Sequence, residues 1–377
     1  MSEVANIPQL RFPGFSDEWE ERPLKDVSTF FNGKAYKQAE LLSSGKYPVL
    51  RVGNFFTNNS WYYSNLELDE NKYCDNGDLL YAWSASFGPR IWAGEKVIYH
   101  YHIWKVINHS QVTKKFLFIV LDNETAKMKA QSANGFALLH ITKGTIENWK
   151  INLPTRQEQQ KIAAFLAVVD SKIEQLSKKQ ALLGEYKKGL MQQIFSQVIR
   201  FKVDDGSDFP DWEERKLGDV GKVYQPKTIS QTDLTTKGFD VYGANGIIGK
   251  YSEYNHEFEQ IAVTCRGNTC GTVNFTKPKS WITGNAMVVN VDDSKVVNKT
   301  FIYYQLSHTN LTYLITGSGQ PQITGDIKTH KVKIPSLPEQ TKIANFLSSI
   351  DNKIEQVGKQ LDESKQFKKA LLQQMFV

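Results

Sequence analysis

EQQKIAAFLAVVDSKIEQL, residues 158–176, returns as EQTKIANFLSSIDNKIEQV at residues 339–357, 181 positions later. The match runs without a gap from 158–195 to 339–376, ending in YKKGLMQQIF and FKKALLQQMF, with about half of the positions identical. Just upstream, ITKGTIENWKINLP (141–154) matches ITGDIKTHKVKIP (323–335) with one deletion, and WEERPLKDV at Trp19 matches WEERKLGDV at Trp212. Each half of the chain is thus a short leader, a divergent body of about 120 residues and a repeated tail. A repeat of this kind is one structural unit written twice.

The tails read as helices. Ile162, Val169, Leu176, Leu183 and Leu190 recur every seven residues, with Leu166, Ile173 and Ile194 four after three of them. The second copy places Ile343, Ile350, Val357, Ser364 and Leu371 in the same row and Leu347, Ile354, Leu361 and Met375 in its companion. This is a heptad seam. Neither tail has an internal proline, and Pro154 and Pro338 stand just before the expected starts. At 1.5 Å per residue, 38 residues make a rod of roughly 57 Å. An amphipathic helix of ordinary length packs on its own domain; this length and the 3.5-residue period select a partner helix instead. The two copies are therefore expected to pair, although Gln180 and Lys187 interrupt the first seam where Leu361 and Lys368 hold the second.

The bodies read as strand and loop. KYPVLRVGNF (46–55), GDLLYAWSASFG (77–88) and EKVIYHYHIWKVI (95–107) have the look of buried or half-buried strands, followed by a helix at TKKFLFIVLDN. In the second body FDVYGANGIIGKY carries an Asn-Gly turn between strands, a hairpin signal. EQIAVTCRGNTCGTVNF and SWITGNAMVVNV follow in the same order as their counterparts, so the topology is expected to repeat.

At 377 residues the chain exceeds one ordinary core, and two or three domains are expected. The net charge of +6 is unevenly spread: −3 over 1–22, +4 over 23–152, +3 over 153–195, −3 over 196–215, +4 over 216–333 and +1 over 334–377. Basic bodies alternating with acidic joints suit two modules that approach a polyanion. No apolar run nears the roughly 18 residues that cross a bilayer, and MSEVANIPQLRFPGF lacks the core of a signal peptide, so a cytoplasmic protein is expected. Cys74, Cys265 and Cys270 are too few for a disulfide framework and lack a second ligand pair for zinc.

No catalytic constellation is found. GANGIIGK (243–250) has five residues between the relevant glycines where a phosphate loop needs four, and Tyr251 replaces the hydroxyl that would hold the metal. PDWEERK (210–216) holds the letters of a metal nuclease site, but Asp211 and Glu214 are too close in sequence, and the segment matches the other leader. His100 and His102 in IYHYHIW fall on one face of a predicted strand with no third ligand in view, so no metal is expected. Motifs for amino methylation, for helicases and for a nucleophile elbow are missing too. The chain reads as a binder, not an enzyme.

With both repeats in view, the chain resembles the specificity subunit of a type I restriction-modification enzyme. The resemblance rests on LRFPGFSDEWEERPLKDV, on the pair LPTRQEQQKIAAFLAVVDSKI and LPEQTKIANFLSSIDNKI, and on GSGQPQITG before the second helix. It implies an α+β protein: two tandem mixed α/β target recognition domains joined by two long helices that form an antiparallel coiled coil about a pseudo-twofold axis. The expected limits are 1–152 for the first recognition domain with its leader, 153–198 for the first helical region, 199–334 for the linker and second recognition domain, and 335–377 for the second helical region. Each domain would read one half of a split, asymmetric double-stranded DNA target, while the helices set the spacer and dock two adenine methyltransferase subunits. S-adenosylmethionine, ATP and Mg would belong to those partners and to restriction subunits; no cofactor is implied for this chain. The first body departs from the pattern, with ANGFALLHIT (133–142) where the second has SGSGQPQIT.

DNA is read by Arg, Asn, Gln, Ser and Thr on loops, with aromatics and cations on phosphates. The expected contacts are Arg51, Asn54, Trp83, Ser84, Ser86 and Arg90 in the first body, and Tyr224, Gln225, Asn245, Arg266, Asn268, Thr269, Gln320 and Gln322 in the second. A coiled-coil scaffold with two adaptor domains and no DNA role is the competing reading. A nuclease with an unrecognised site is the third.

Overall fold

The computed structural model describes residues 6–56, 58–84, 87–132, 141–244, 246–317 and 320–376. It divides into two compact units, Met1–Gln175 with Leu361–Val377, and Leu176–Gln360. Each unit holds one body, the start of one long helix and the end of the other.

In the first unit the leader strand Glu20–Pro23 runs antiparallel to Lys150–Leu153, the strand that feeds the first long helix, Arg156–Phe195. The body is built on two sheets. One is antiparallel, in the order Ser28–Asn32, Ile103–Asn108, Leu79–Ala82, Gly88–Ile91. The other has the order Tyr62–Ser64, Tyr47–Leu50, Val97–Tyr99, Tyr73–Cys74, and its central pair is parallel. The helix Lys114–Ser132 covers the first sheet, burying Phe116, Leu117, Val120 and Leu121 against Phe30, Leu79, Tyr81, Trp104 and Val106.

The second unit repeats this plan, with three strands instead of four in its mixed sheet. Glu213–Lys216 pairs with Lys331–Ile334 just before the second long helix, Leu337–Met375. Its antiparallel sheet has the order Lys222–Tyr224, Ala286–Asn290, Ile261–Thr264, Val273–Phe275. Its mixed sheet has Gly246–Tyr251, Phe239–Gly243 and Trp281–Ile282, again with one parallel pair. The covering helix is the shorter Lys299–His308.

Three local readings of the sequence are corrected. The strand beginning at Tyr47 ends at Leu50, and Val52–Phe56 is a helical turn. There the Asn54 side chain accepts from the Arg51 amide and donates to the carbonyls of Asn58 and Ser60, a local network that competes with a strand. The stretch 95–107 is two strands, Val97–Tyr99 and Ile103–Asn108, one in each sheet. His100 and His102 occupy the turn where the chain changes sheets and do not share a strand face; Ile103 N–H donates to His100 O at 2.9 Å. Pro338 lies within the first turn of the second long helix, where its missing N–H costs nothing.

The long helices meet in both units. In the first, Ile162 and Leu166 near the start of one helix share a core with Leu371 and Met375 near the end of the other. In the second, Met191 and Ile194 share a core with Ile343, Leu347 and Ile350. Start meets end each time, so the helices run antiparallel. The same cores include the bodies (Trp19, Phe116 and Val120 in one, Phe301, Ile302 and Val332 in the other), so each helix packs on its own body as well as on its partner. Polar residues on the seam are paired reciprocally. Lys368 binds Asp170 at 2.6 Å, and Lys187, the counterpart of Lys368, binds Asp351, the counterpart of Asp170, at 2.6 Å. Gln180 lies against Gly358, where a Cβ would stand 2.8 Å from the amide nitrogen. Ile162, Leu166, Leu176, Ile343, Leu347, Ile350, Val357, Leu361 and Leu371 are buried, while Val169, Ile173, Leu183, Leu190 and Ile354 are half-buried.

Candidate nucleic-acid interface

Each body is tied to its helix by the two residues that open the repeat. Glu158, fully buried, receives a bidentate pair of bonds from Arg11, Nε at 2.7 Å and Nη2 at 2.8 Å. Glu339, equally buried, receives Arg200 at 3.2 and 2.9 Å and the Trp212 indole at 3.2 Å. The following glutamines lock the segment ahead of the covering helix. Gln159 accepts from Thr113 N–H and donates to Gln111 O and Pro154 O; Gln340 accepts from Asn298 N–H and donates to Val296 O and Pro335 O. Phe12 packs edge-on against Phe165 and Phe201 against Phe346, both at 5.6 Å. These fasteners tie each body to its helix. Sequence reading missed them, although the repeated Arg-Phe of the leaders was their signal.

In the second body, four segments meet at one edge: 222–232, 241–251, 261–279 and 311–325. Thr264 and Thr269 hydroxyls both donate to Ala244 O, at 2.7 and 3.0 Å, fastening the loop 265–270 to the hairpin tip. Arg266 bridges to Gln322 across antiparallel backbone, with Gly267 N–H on Pro321 O at 3.1 Å and Ile323 N–H on Cys265 O at 3.0 Å. Gly267 has φ +81°, a left-handed turn that glycine adopts without strain. Gln225 spends its amide on Gly284 O, and Tyr224 bonds His256 Nε2 at 2.9 Å. Arg266, Asn268, Gln320 and Gln322 are exposed. Ile247 and Ile248 on the hairpin are exposed as well, a feature not anticipated from the sequence. Asn245 lies outside the described residues, although the strands on either side of it pair as a hairpin. None of the four segments contains an Asp or Glu.

The first body presents an aromatic and basic counterpart. The Arg51 guanidinium lies 4.3 Å from the centre of the Tyr62 ring, and its Nε has no hydrogen-bond partner among the described residues. Tyr36 stacks on His100, whose pKa is pushed down to about 4, chiefly by burial and then by His102 and Arg51, so it carries no charge at neutral pH. Trp83 stacks on Trp104 at 5.8 Å and donates its indole N–H to Tyr101 O at 2.7 Å. Arg90 is exposed, 5.1 Å from the Phe56 ring. Ser84 is buried, and the Asn54 amide is committed to its own loop. Ser86 lies outside the described residues. Tyr36 and Tyr62 were not singled out in the sequence, and His100 and His102 were weighed only as metal ligands on a strand; the density of aromatics in YHYHIW was the available clue. The stretches 46–62, 79–94 and 96–121 have no carboxylate.

Among the described residues no cluster of three His, Cys, Asp or Glu could hold a metal ion, and no helix is long and apolar enough to cross a membrane. The arrangement can bind a polyanion through cations, amides and rings.

The type I restriction modification DNA specificity domain matches this chain twice, over residues 16–183 and 210–364. The chain belongs to that family. As a specificity subunit it recognises DNA sequence and is not the catalytic component. It is 25% identical over 407 residues to the type I restriction enzyme MjaVIII specificity subunit of Methanocaldococcus jannaschii, covering 96% of this chain and 92% of that protein. With the EcoprrI specificity subunit of Escherichia coli it shares 27% identity over 161 residues, 41% of this chain and 39% of that one. The S subunit from M. genitalium has the same fold, with a TM-score of 0.64 at 16% identity over 98% of this chain and 99% of that one.

Proposed function

We propose that each body of this specificity subunit reads one half of a bipartite, asymmetric DNA target. The paired helices set the gap between the halves and dock two adenine methyltransferase subunits carrying S-adenosylmethionine. Restriction subunits using ATP and Mg complete the assembly, which acts on chromosomal DNA in the cytoplasm. One observation carries the reading: two bodies built on the same sheet plan, each with segments that hold no Asp or Glu and that carry different side chains in the two bodies. A common frame with divergent rims is what two readers of two different sequences require, since base edges are distinguished by the donors and acceptors opposite them. The duplicated helix surfaces support a partner used twice, because a subunit that recognises one tail recognises its repeat.

Methylated-base sequencing of a host with and without this chain, both expressing the methyltransferase, tests the proposal. A two-part motif that appears only with the chain is the expected result. Modification independent of the chain would favour the scaffold reading, and cleavage of DNA by the isolated chain with a metal ion alone would favour the nuclease.

A further inference from the structure

We propose that Arg266 is a specificity-determining residue of the second body and that it reads a guanine in the major groove; the inference rests on the recognition role proposed above. Of the other polar residues here, exposed Gln225 and half-buried Thr269 have their side chains committed to carbonyls within the body, at Gly284 and Ala244. Arg266 is different. Its side chain is exposed, and it has no carboxylate partner among the described residues. Its backbone is fixed on both sides by the Gly267–Pro321 and Cys265–Ile323 hydrogen bonds, and Cys265 beneath it is buried. A long side chain launched from a rigid point keeps its orientation, which base reading needs and a phosphate contact does not.

The neighbours point the same way. Gln322 bridges to Arg266 across the backbone, Asn268 and Gln320 lie two residues from that bridge along the chain, and all three are neutral amides, donors and acceptors suited to base edges; the adjoining stretches 264–272 and 315–325 contain no lysine. A phosphate-holding surface would instead be cationic throughout. The guanidinium fork matches guanine O6 and N7, the commonest specific contact in protein–DNA recognition.

The test is R266A and R266Q in the full chain, each expressed with the methyltransferase in a host lacking other adenine methylation, with the motif read by methylated-base sequencing. In R266A one guanine of one half-site becomes degenerate: discrimination there falls about 5- to 150-fold, and the other half-site keeps its sequence. R266Q is expected to gain adenine at that same position, because an amide pairs with adenine N6 and N7. An unchanged motif methylated less completely would make Arg266 a phosphate contact and overturn the inference while leaving the recognition role intact. Unchanged motif and extent, or degeneracy only at a position other than guanine, would overturn it equally. Should R266A fail to accumulate, R266Q carries the same outcomes. A wild-type chain that directs no two-part motif would sink the recognition role itself.

Discussion

Glu158 and Glu339 are fully buried carboxylates, each held by an arginine of the leader that precedes its body. Removing one partner of such a pair strands the other charge, a loss of about 3–5 kcal/mol. Arg200 retains 22% of its side-chain exposure, so E339Q is expected near the lower end, about 3 kcal/mol. E355Q is the control, since Glu355 pairs with Lys359 in solvent one helical turn away and such pairs contribute less than about 0.5 kcal/mol. Urea unfolding of the two variants distinguishes them; equal losses would show that the clamp is ornamental. His100 makes a second residue-scale prediction. Burial lowers its pKa to about 4 from an unfolded value of 6.5, so the folded body binds this proton more weakly than the unfolded chain does. Its contribution to stability is therefore full above pH 6.5 and lost as the pH falls towards 4. H100N should lose less stability than wild type across that window, measured by urea midpoints; identical slopes would contradict it.

At the scale of elements, the two long helices were legible because a heptad seam is written in contiguous residues. The change of sheet at His100–His102 was not, because the alternation in VIYHYHIW suits a strand on either side of the turn. Which sheet a strand joins is set by partners far away in the chain, here Tyr47–Leu50 for one segment and Ser28–Asn32 for the next. The clamps were half legible. Repetition exposed the Glu-Gln pairs, but the Arg-Phe of each leader went unread, and nothing in sequence spacing says that residue 11 meets residue 158. The candidate readers were chosen as residue types expected on loops, whereas Asn54 falls in a helical turn and Arg90, Tyr224 and Gln322 fall in strands. Which of them are free to face a ligand depends on contacts such as those of Gln225 and Thr269 that only the fold supplies. The first helix also carries Gly184 and Gly189, with open space where a side chain would stand. Alanine there should stabilise by about 1 kcal/mol each, from helix propensity alone, in the same urea assay. If the paired helices set the gap, a seven-residue helical insert in both, placed where Gln180 faces Gly358, keeps the seam in register and adds roughly 10 Å. At 3.4 Å per base pair that is about three base pairs of added spacer with both half-sites retained. An unchanged gap in the methylated motif would mean that the helices join the protein without measuring DNA.

For the whole molecule, the charge sets the affinity. A net +6, with much of the surface lysine already paired to carboxylates such as Asp240 and Glu214, leaves few cations for phosphate contacts. The isolated chain is expected to bind its target weakly at physiological salt and to become specific only with the methyltransferase present. The central claim is that one frame carries two independent readers, and exchange of a body tests it most directly. The strand pair Glu213–Lys216 and Lys331–Ile334 closes the second body, so replacing residues 216–333 with those of another family member cuts where the frame is shared. Methylated-base sequencing of the exchanged chain should reveal one half-site replaced, with the other half-site and the gap retained. Alteration of both half-sites together, or of neither, would contradict the account.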